Sequence, residues 1–266
     1  MHCFSFDIET VPDVEFGRRL WSLEGLSDAD VAAAMTFMRQ QDSGSEFLPL
    51  HMQRVVAISV ALRTGDTFRV WSLGDRDAGE AELVRRFFDG IERYAPELVS
   101  WNGGGFDLPV LHYRALKHGI QAPRYWETGD SDRDFRYNNY LSRFHWRHID
   151  LMDVLSGFQP RARASLEQTA LLLGFPGKLG MSGDKVWQCW LDGGIDDIRN
   201  YCETDVLNTW LVYLRFEFMR GHLDAAGLQR EFSLVRSTLS EMAQPHLQEF
   251  LAAWPETVAD GASLDT

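Results

Sequence analysis

The chain has 266 residues, of which 45% are hydrophobic, and this suits one large domain with a sizeable core. Its formal net charge of −13 excludes a protein that coats nucleic acid or an anionic membrane through bulk positive charge. Nucleic acid stays open as a substrate, because an enzyme that clusters acids around divalent cations can be acidic overall.

Three widely spaced cysteines, Cys3, Cys189 and Cys202, form no CxxC pair, so neither a disulfide framework nor a zinc site is indicated. We therefore expect a reducing, cytoplasmic setting. The sequence has no run of about 18 apolar residues and no basic leader followed by an apolar stretch, so we expect neither a membrane span nor a signal peptide. Its pattern carries no information on oligomeric state.

Strands and helices follow one another in an order typical of α/β proteins. In chain order we predict a strand over residues 3–8, a helix over 27–41, strands over 54–62 and 67–73, a helix over 78–94, a strand over 97–101, a helix over 106–118, a strand over 147–151, and helices over 165–174, 196–220 and 228–254, the last interrupted near Pro245. The early strands indicate an antiparallel group, and the helical crossovers indicate parallel strands after it, so we predict a mixed sheet.

Two acids, Asp7 and Glu9, lie in the apolar first strand, FSFDIET. Residues two apart on a strand point to one face, so two like charges would share a dry environment. A divalent cation would compensate them, and an all-carboxylate ligand set favours Mg²⁺ or Mn²⁺ over zinc. The alternative is that Asp7 lies near a strand end and Glu9 is solvated.

A third acid, Asp107, follows a strand and a glycine run in SWNGGGFDLPVL and begins a helix. Glycines allow close approach of the backbone to a ligand, but the absence of a following Lys-Ser or Lys-Thr pair excludes a P-loop. The alternative is an acid that only satisfies the helix dipole.

A predicted helix carries Tyr201 and Asp205 four residues apart in NYCETDVLNTW, hence on one face. That face also carries apolar residues, so the pair indicates a polar site inside the core. A simple buried Tyr–Asp hydrogen bond, or a solvated acidic face, would account for the same residues.

Taken together, the acids and the tyrosine follow the order D-x-E, D, Y-x-x-x-D. This set resembles the DEDD 3′–5′ exonucleases of the ribonuclease H-like fold, in the tyrosine subtype (DEDDy). More narrowly, the chain is similar to the stand-alone predicted polymerase-B-like 3′–5′ exonucleases. The segments FDIET, SWNGGGFDLPVL and YCETDVLNTW carry the match, and RHIDLMDVLS, SLEQTALLLGFPGK and SGDKVWQCW extend it over most of residues 3–220.

The resemblance implies a five-stranded mixed sheet flanked by helices. It implies an exonuclease domain over residues 1–220. From the sequence pattern we also expect a helical extension over 221–254 packed on that domain and a disordered tail over 255–266. The resemblance also implies two divalent ions, Mg²⁺ or Mn²⁺, bridged by Asp7. Glu9 and Asp205 would hold one ion, Asp107 would hold the second, and Tyr201 would orient the attacking water.

Thr10 and Asn102 are predicted to contact the terminal nucleotide by analogy with the same family, and Phe106 is a further candidate. Arg161, Arg163, Lys178 and Lys185 are candidates because they lie near Gly-rich turns that could approach a phosphate. Residues 119–146 interleave arginines with aromatic side chains, a pattern typical of single-strand binding through stacking and backbone charge. A surface lobe with its own small core would give the same pattern. Asp150, at the end of the last strand, is predicted to be structural.

The leading hypothesis is an enzyme that removes nucleotides from the free 3′ end of single-stranded nucleic acid, with DNA favoured over RNA. A non-catalytic module of the same fold that binds nucleic acid or a polymerase is the second hypothesis. A metal-dependent phosphatase acting on small nucleotides is the third.

Overall fold

The computed structural model describes residues 2–255. Its five strands are β1 (His2–Pro12), β2 (Gln53–Thr64), β3 (Thr67–Ser72), β4 (Glu97–Ser100) and β5 (His148–Asp150). Its helices are α1 (Val14–Trp21), α2 (Asp28–Ser43), α3 (Glu80–Tyr94), α4 (Asp107–His118), α5 (Leu151–Leu155), α6 (Leu166–Leu172), α7 (Val186–Leu191), α8 (Ile195–Met219), α9 (Ala225–Glu241) and α10 (Pro245–Ala253).

The strands form one mixed sheet in the order β3-β2-β1-β4-β5. β1 pairs antiparallel with β2 and parallel with β4, which in turn pairs parallel with β5. The predicted α/β class, the mixed five-stranded sheet and the ribonuclease H-like arrangement are confirmed. β1 is the central strand, so its side chains are covered on both faces.

Side chains of β1 alternate between two helical layers. Phe4, Phe6 and Ile8 pack against α3 and α4 in one apolar cluster. Cys3 packs on the opposite face, in a cluster with the second half of α8. Because the period of a strand is two, Asp7 and Glu9 share that second face and are directed toward α8.

Three short helices were absent from the prediction. α1 begins directly after β1, with Asp13 as N-cap, and packs across α2 through Val14 and Met35. A β-carbon at Gly17 would lie 2.5 Å from the sulfur of Met35, so the two helices need glycine to approach this closely. α1, α5 and α7 have eight, five and six residues, too few for helical periodicity to become visible in a sequence.

The segment from residue 119 to 146 is mostly irregular and contains one short 3₁₀ helix (Arg133–Phe135). Tyr125, Phe135 and Tyr140 are buried and join the cluster formed by α3 and α4. The Tyr125 and Tyr140 rings stack with centroids 5.5 Å apart. The segment is therefore anchored in the core of the domain through these aromatic side chains and has no separate core within residues 119–146.

The two C-terminal helices lie against the α8 face of the sheet. Phe232 of α9 and Trp254, at the end of α10, pack edge to face at 5.6 Å within the same cluster as Trp210 of α8. Residues 256–266, which cover nearly all of the tail predicted to be disordered, lie outside the described residues. Within residues 2–255, no helix combines the length and apolar character that a membrane span requires.

Candidate active site

Asp7 and Glu9 occupy the middle of β1, opposite Ser59 and Ala57 of β2. The strand continues to Pro12, and Glu9 is only 8% exposed while Asp7 is half-buried. The alternative of a strand-end aspartate beside a solvated glutamate is therefore wrong. A bulge between Glu9 and Thr10 shifts the register directly after the two acids. Bulges of this kind redirect side chains at the edge of a site.

Asp107 is the first residue of α4 and is 4% exposed. Its Oδ1 atom accepts a hydrogen bond of 3.1 Å from the main-chain N–H of Ile8, between the two acids of β1. This bond means that Asp107 does more than complement a helix dipole. It joins the N-terminus of α4 to the central strand and places a third carboxylate beside the first two.

Asp150 holds the glycine turn that leads to Asp107. Its carboxylate accepts hydrogen bonds from the N–H groups of Asn102 (3.0 Å) and Gly104 (2.9 Å), and it caps α5 through the N–H of Asp153. Asn102 has a left-handed backbone, with φ of 64°. Asp150 is thus structural, as predicted, and it acts by positioning the turn.

Tyr201, Cys202 and Asp205 lie on the face of α8 that covers β1. All three are buried, with Tyr201 6% and Asp205 7% exposed. The Tyr201 hydroxyl lowers the pKa of Asp205, so the two polar groups interact. The Cys202 thiol lies 3.5 Å from Oδ2 of Asp7, and ligand atoms of Asp7, Glu9 and Cys202 all lie within 4.8 Å of one another.

Burial and mutual repulsion raise the pKa of every acid in the site. Burial is the larger cause for Asp7, followed by the charges of Asp107, Glu9 and Asp205. Glu9 is raised by burial and by the charges of Asp205 and Asp107. The pKa of Asp107 rises to about 7 and that of Asp205 to about 6, in both cases mainly through burial.

One carboxylate oxygen of this set is buried without a partner. Oδ1 of Asp205 makes no hydrogen bond to any of residues 2–255. A buried carboxylate without a partner is costly, and so are four acids that repel one another. The donor set is oxygen-rich, which suits a hard divalent cation, so the residues fit Mg²⁺ or Mn²⁺.

Three of the predicted substrate contacts, Lys178, Thr10 and Phe106, lie beside the acids. Lys178 places its ammonium 5.5 Å from the Tyr201 ring centroid and lowers the pKa of both Glu9 and Asp205. Thr10 follows Glu9 directly, and its hydroxyl donates to Oε1 of Gln53 at 3.0 Å.

Phe106, the residue before Asp107, packs against Phe47 with ring centroids 5.8 Å apart. Arg161 and Lys185 are exposed in two short 3₁₀ helices (Pro160–Ala162 and Gly183–Lys185). Neither forms an ion pair with the acids anywhere in the part of the chain that the structure describes. Their assignment to substrate binding stays a prediction.

Sequence reasoning did not assign Cys202 to the site. Its position next to Tyr201, three residues before Asp205, was the available signal, because residues three apart share a helix face. From the sequence alone, Cys202 was considered only as one of three widely spaced cysteines that indicate neither a disulfide framework nor a zinc site.

A mixed five-stranded sheet that brings acids from β1, α4 and α8 together is the arrangement of a ribonuclease H-like exonuclease fold. The profile of a family described as predicted 3′–5′ exonucleases related to the exonuclease domain of PolB matches residues 45–254. The chain belongs to this family. Asp107, Tyr201 and Asp205 lie inside the matched range, whereas Asp7 and Glu9 precede it.

Several archaeal DNA polymerases are also similar to the chain. A DNA polymerase of Archaeoglobus fulgidus is 23% identical over 158 residues, which is 58% of this chain and 19% of the polymerase. DNA polymerase 1 of Pyrococcus abyssi is 23% identical over 250 residues, 87% of this chain and 31% of the polymerase. DNA polymerase 1 of Sulfurisphaera ohwakuensis is 55% identical over 38 residues, 14% of this chain and 4% of the polymerase. The chain spans about a third or less of these relatives.

Proposed function

We propose that this protein is a metal-dependent 3′–5′ exonuclease of the DEDDy type that hydrolyses single-stranded nucleic acid, DNA in preference to RNA. The observation that carries the proposal is the convergence of three buried carboxylates, Glu9, Asp107 and Asp205, with the half-buried Asp7 on the scaffold of an exonuclease family. One oxygen of Asp205 has no partner among the described residues. An acid cluster of this kind is unfavourable unless cations neutralise it.

Asp7, Glu9, Asp107 and Asp205 would hold two divalent ions, Mg²⁺ or Mn²⁺. When bound, such ions acidify an attacking water and stabilise negative charge on the phosphoryl and leaving oxygens. The residues of the chain supply the fixed positions. β1 presents Asp7 and Glu9, the bond from Ile8 holds Asp107, and α8 holds Asp205.

Tyr201 is suited to orienting the nucleophile rather than to removing its proton. Burial and the charges of Asp205, Glu9 and Asp7 raise the pKa of its hydroxyl far above the ordinary value. The hydroxyl therefore stays protonated at neutral pH and acts as a hydrogen-bond partner. Lys178 adds a positive charge at the same place, where it would face a phosphate of the substrate.

The decisive experiment is to incubate a 3′-labelled single-stranded oligonucleotide with the protein and Mn²⁺. We expect the wild-type protein to release the labelled 3′-terminal mononucleotide and Asp7→Ala to release none. A matched control is Asp196→Asn, which removes an exposed acid of α8 that pairs with Arg76. If wild type and Asp7→Ala release the same amount of label, the proposal fails.

Two further comparisons separate the competing functions. A non-catalytic binding module would retain the oligonucleotide without shortening it, and a phosphatase would prefer a mononucleotide ester. DNA and RNA oligomers of one sequence would rank the two substrates.

We extend the proposal to organisation and setting. Residues 1–220 would form the exonuclease domain, with 221–254 as its helical extension. The free thiols of Cys3, Cys189 and Cys202 favour a reducing, cytoplasmic environment.

A further inference from the structure

A cleft of about 530 Å³ opens beside the glycine turn that precedes Asp107. Its lining combines Gly104 and Gly105 of the turn with Trp126, Tyr140 and Arg143 of the aromatic segment. The cleft therefore runs from the turn at the acid cluster into the aromatic segment of residues 119–146. Its volume lies within the range of sites that hold a small molecule or one nucleotide.

The aromatic wall of the cleft consists of two buried, stacked rings and one partly exposed ring. Tyr125 and Tyr140 are each 2% exposed and stack on one another. Trp126 meets the Tyr125 ring edge to face at 5.2 Å and is 51% exposed. The Trp126 indole is therefore supported by the buried Tyr125 ring and has about half of its surface in solvent, so a nucleobase can stack on it.

Two arginines provide positive charge at the same cleft. A single carboxylate, Asp153, binds Arg143 at 2.8 Å and Arg163 at 2.6 Å. Both guanidinium groups stay partly exposed although they share this carboxylate, so each remains accessible to an anion. The main-chain N–H of Asp153 also donates to Asp150, which holds the turn at Gly104. The two cations are therefore tied to the turn that positions Asp107.

Most other arginines and aromatic residues of the same segment have structural partners elsewhere. The Arg147 guanidinium lies 3.9 Å from the Phe135 ring centroid, and Arg124 pairs with Asp132 at 2.7 Å. Trp146 is covered by Arg220 at 3.9 Å. The cleft thus singles out a small part of the segment, centred on Trp126 and Arg143.

We infer that this cleft binds a nucleotide that remains on the substrate strand, with its base on Trp126 and its phosphate facing Arg143 and Arg163. The inference rests on the proposed function, because the ligand is a strand presented to the acid cluster. The cleft is lined by Gly105 and Leu108, on either side of Asp107, but by none of the four acids themselves. It therefore adjoins the acid cluster without including it, and we assign it to a nucleotide farther along the strand.

The test is the affinity for a short 5′-fluorescein-labelled oligothymidylate, measured by fluorescence anisotropy in EDTA so that no hydrolysis occurs. Trp126→Ala should raise Kd by roughly tenfold, the effect of losing one base–aromatic stack. Tyr137→Ala is the matched control, since Tyr137 is 79% exposed on the same segment and does not line the cleft. It should change Kd by less than about twofold.

A second pair of variants tests the cations. Arg143→Gln should weaken binding and reduce its salt dependence, because one phosphate contact is lost. Arg136→Gln, beside Tyr137 and outside the cleft, should not. Equal Kd values for the cleft variants and their controls would overturn the inference, and so would a wild-type protein that binds no oligonucleotide.

Kinetics separate this inference from the proposed function. With a longer oligonucleotide, Trp126→Ala should raise KM and leave kcat unchanged, since the stack contributes to binding of substrate and transition state alike. With a dinucleotide the two proteins should not differ. Binding that depends on Trp126 without any hydrolysis would support the cleft and refute the exonuclease. Hydrolysis that proceeds equally well in Trp126→Ala, with unchanged Kd and KM, would support the exonuclease and refute the cleft.

Discussion

The main-chain N–H of Ile8 donates a 3.1 Å hydrogen bond to Oδ1 of Asp107, although the two residues are 99 positions apart. β4 pairs with β1 only as far as Ser5, so β4 does not reach the N–H of Ile8. Asp107 takes the place of the missing strand neighbour. Oδ1 of Asp107 therefore has a structural role, and its hydrogen bond holds the Asp107 carboxylate beside the other acids of the site.

Asparagine and alanine at position 107 should separate these two roles. Asp107→Asn keeps an oxygen acceptor for Ile8 but removes the charge, whereas Asp107→Ala removes both. We expect each to reduce nuclease activity by about 10²-fold or more, since a cation ligand is lost. Only Asp107→Ala should lose stability, by about 1–3 kcal/mol for the unpaired buried N–H. Equal melting temperatures for the two variants would contradict this account.

Stability of the metal-free protein should fall as the pH rises from about 4 to about 7. Asp107 and Asp205 have folded-state pKa values of about 7 and about 6, above an unfolded value of about 3.9. Within that window the folded state binds more protons than the unfolded state, so the free energy of unfolding decreases with pH.

Thermal melts in EDTA would measure this slope. Asp205→Asn should flatten the slope, while Asp196→Asn, an exposed acid, should leave it unchanged. Mg²⁺ or Mn²⁺ should raise Tm more at about pH 8 than at about pH 5, because protons compete for the acids at the lower pH. A Tm that is independent of pH and cation would argue against a cation site.

Loss of the Tyr201 hydroxyl should impair catalysis without removing the acids. Tyr201→Phe keeps the ring, whose centroid lies 5.5 Å from the Lys178 ammonium, and deletes only the hydroxyl that we propose to orient the nucleophile. We expect kcat to fall by roughly 10- to 100-fold in single-turnover assays, the cost of a misplaced reacting group. Because the hydroxyl also lowers the pKa of Asp205, the pH at which activity rises should move upward. An unchanged kcat and pH profile would exclude this role.

A buried charge network joins the N-cap of α1 to α3 and α4, away from the acid cluster. Arg114 is 2% exposed and pairs with Asp13 at 2.7 Å and Glu80 at 2.6 Å. Burial alone would raise the pKa of Asp13, but hydrogen bonds from Lys117 and Arg114 bring it below its usual value.

Arg114→Met should destabilise the protein by roughly 3–5 kcal/mol, because two buried carboxylates lose their shared partner. Arg86→Met breaks the exposed pair with Glu82 and should cost less than about 0.5 kcal/mol. Urea unfolding of both variants provides the comparison. If Arg114→Met lowers the free energy of unfolding only slightly, solvent reaches the network and the account is wrong.

Much of the fold could be predicted because long periodic segments carry it. α3 and α8 show helical spacing over many residues, and β2 is rich in β-branched residues. The ends of β1 and the helices α1, α5 and α7 could not be placed. They depend on contacts with distant residues, such as the close approach of Gly17 to Met35, rather than on local pattern.

The sequence by itself determined the order of the strands and of the longer helices through their periodic patterns. It also determined the family and the identity of the candidate acids, because these are contained in short motifs whose residue types the chemistry demands. Only the tertiary structure decided their environment. It buried Glu9 in mid-strand, left Oδ1 of Asp205 without a partner, joined Asp107 to Ile8 and set Trp126 on the wall of a cleft. The physical reason is that burial, pairing and exposure arise from contacts between residues far apart in the chain, and a local pattern does not encode them. FSFDIET therefore identified two acids, and the packing of α4 and α8 around β1 made them a candidate metal site.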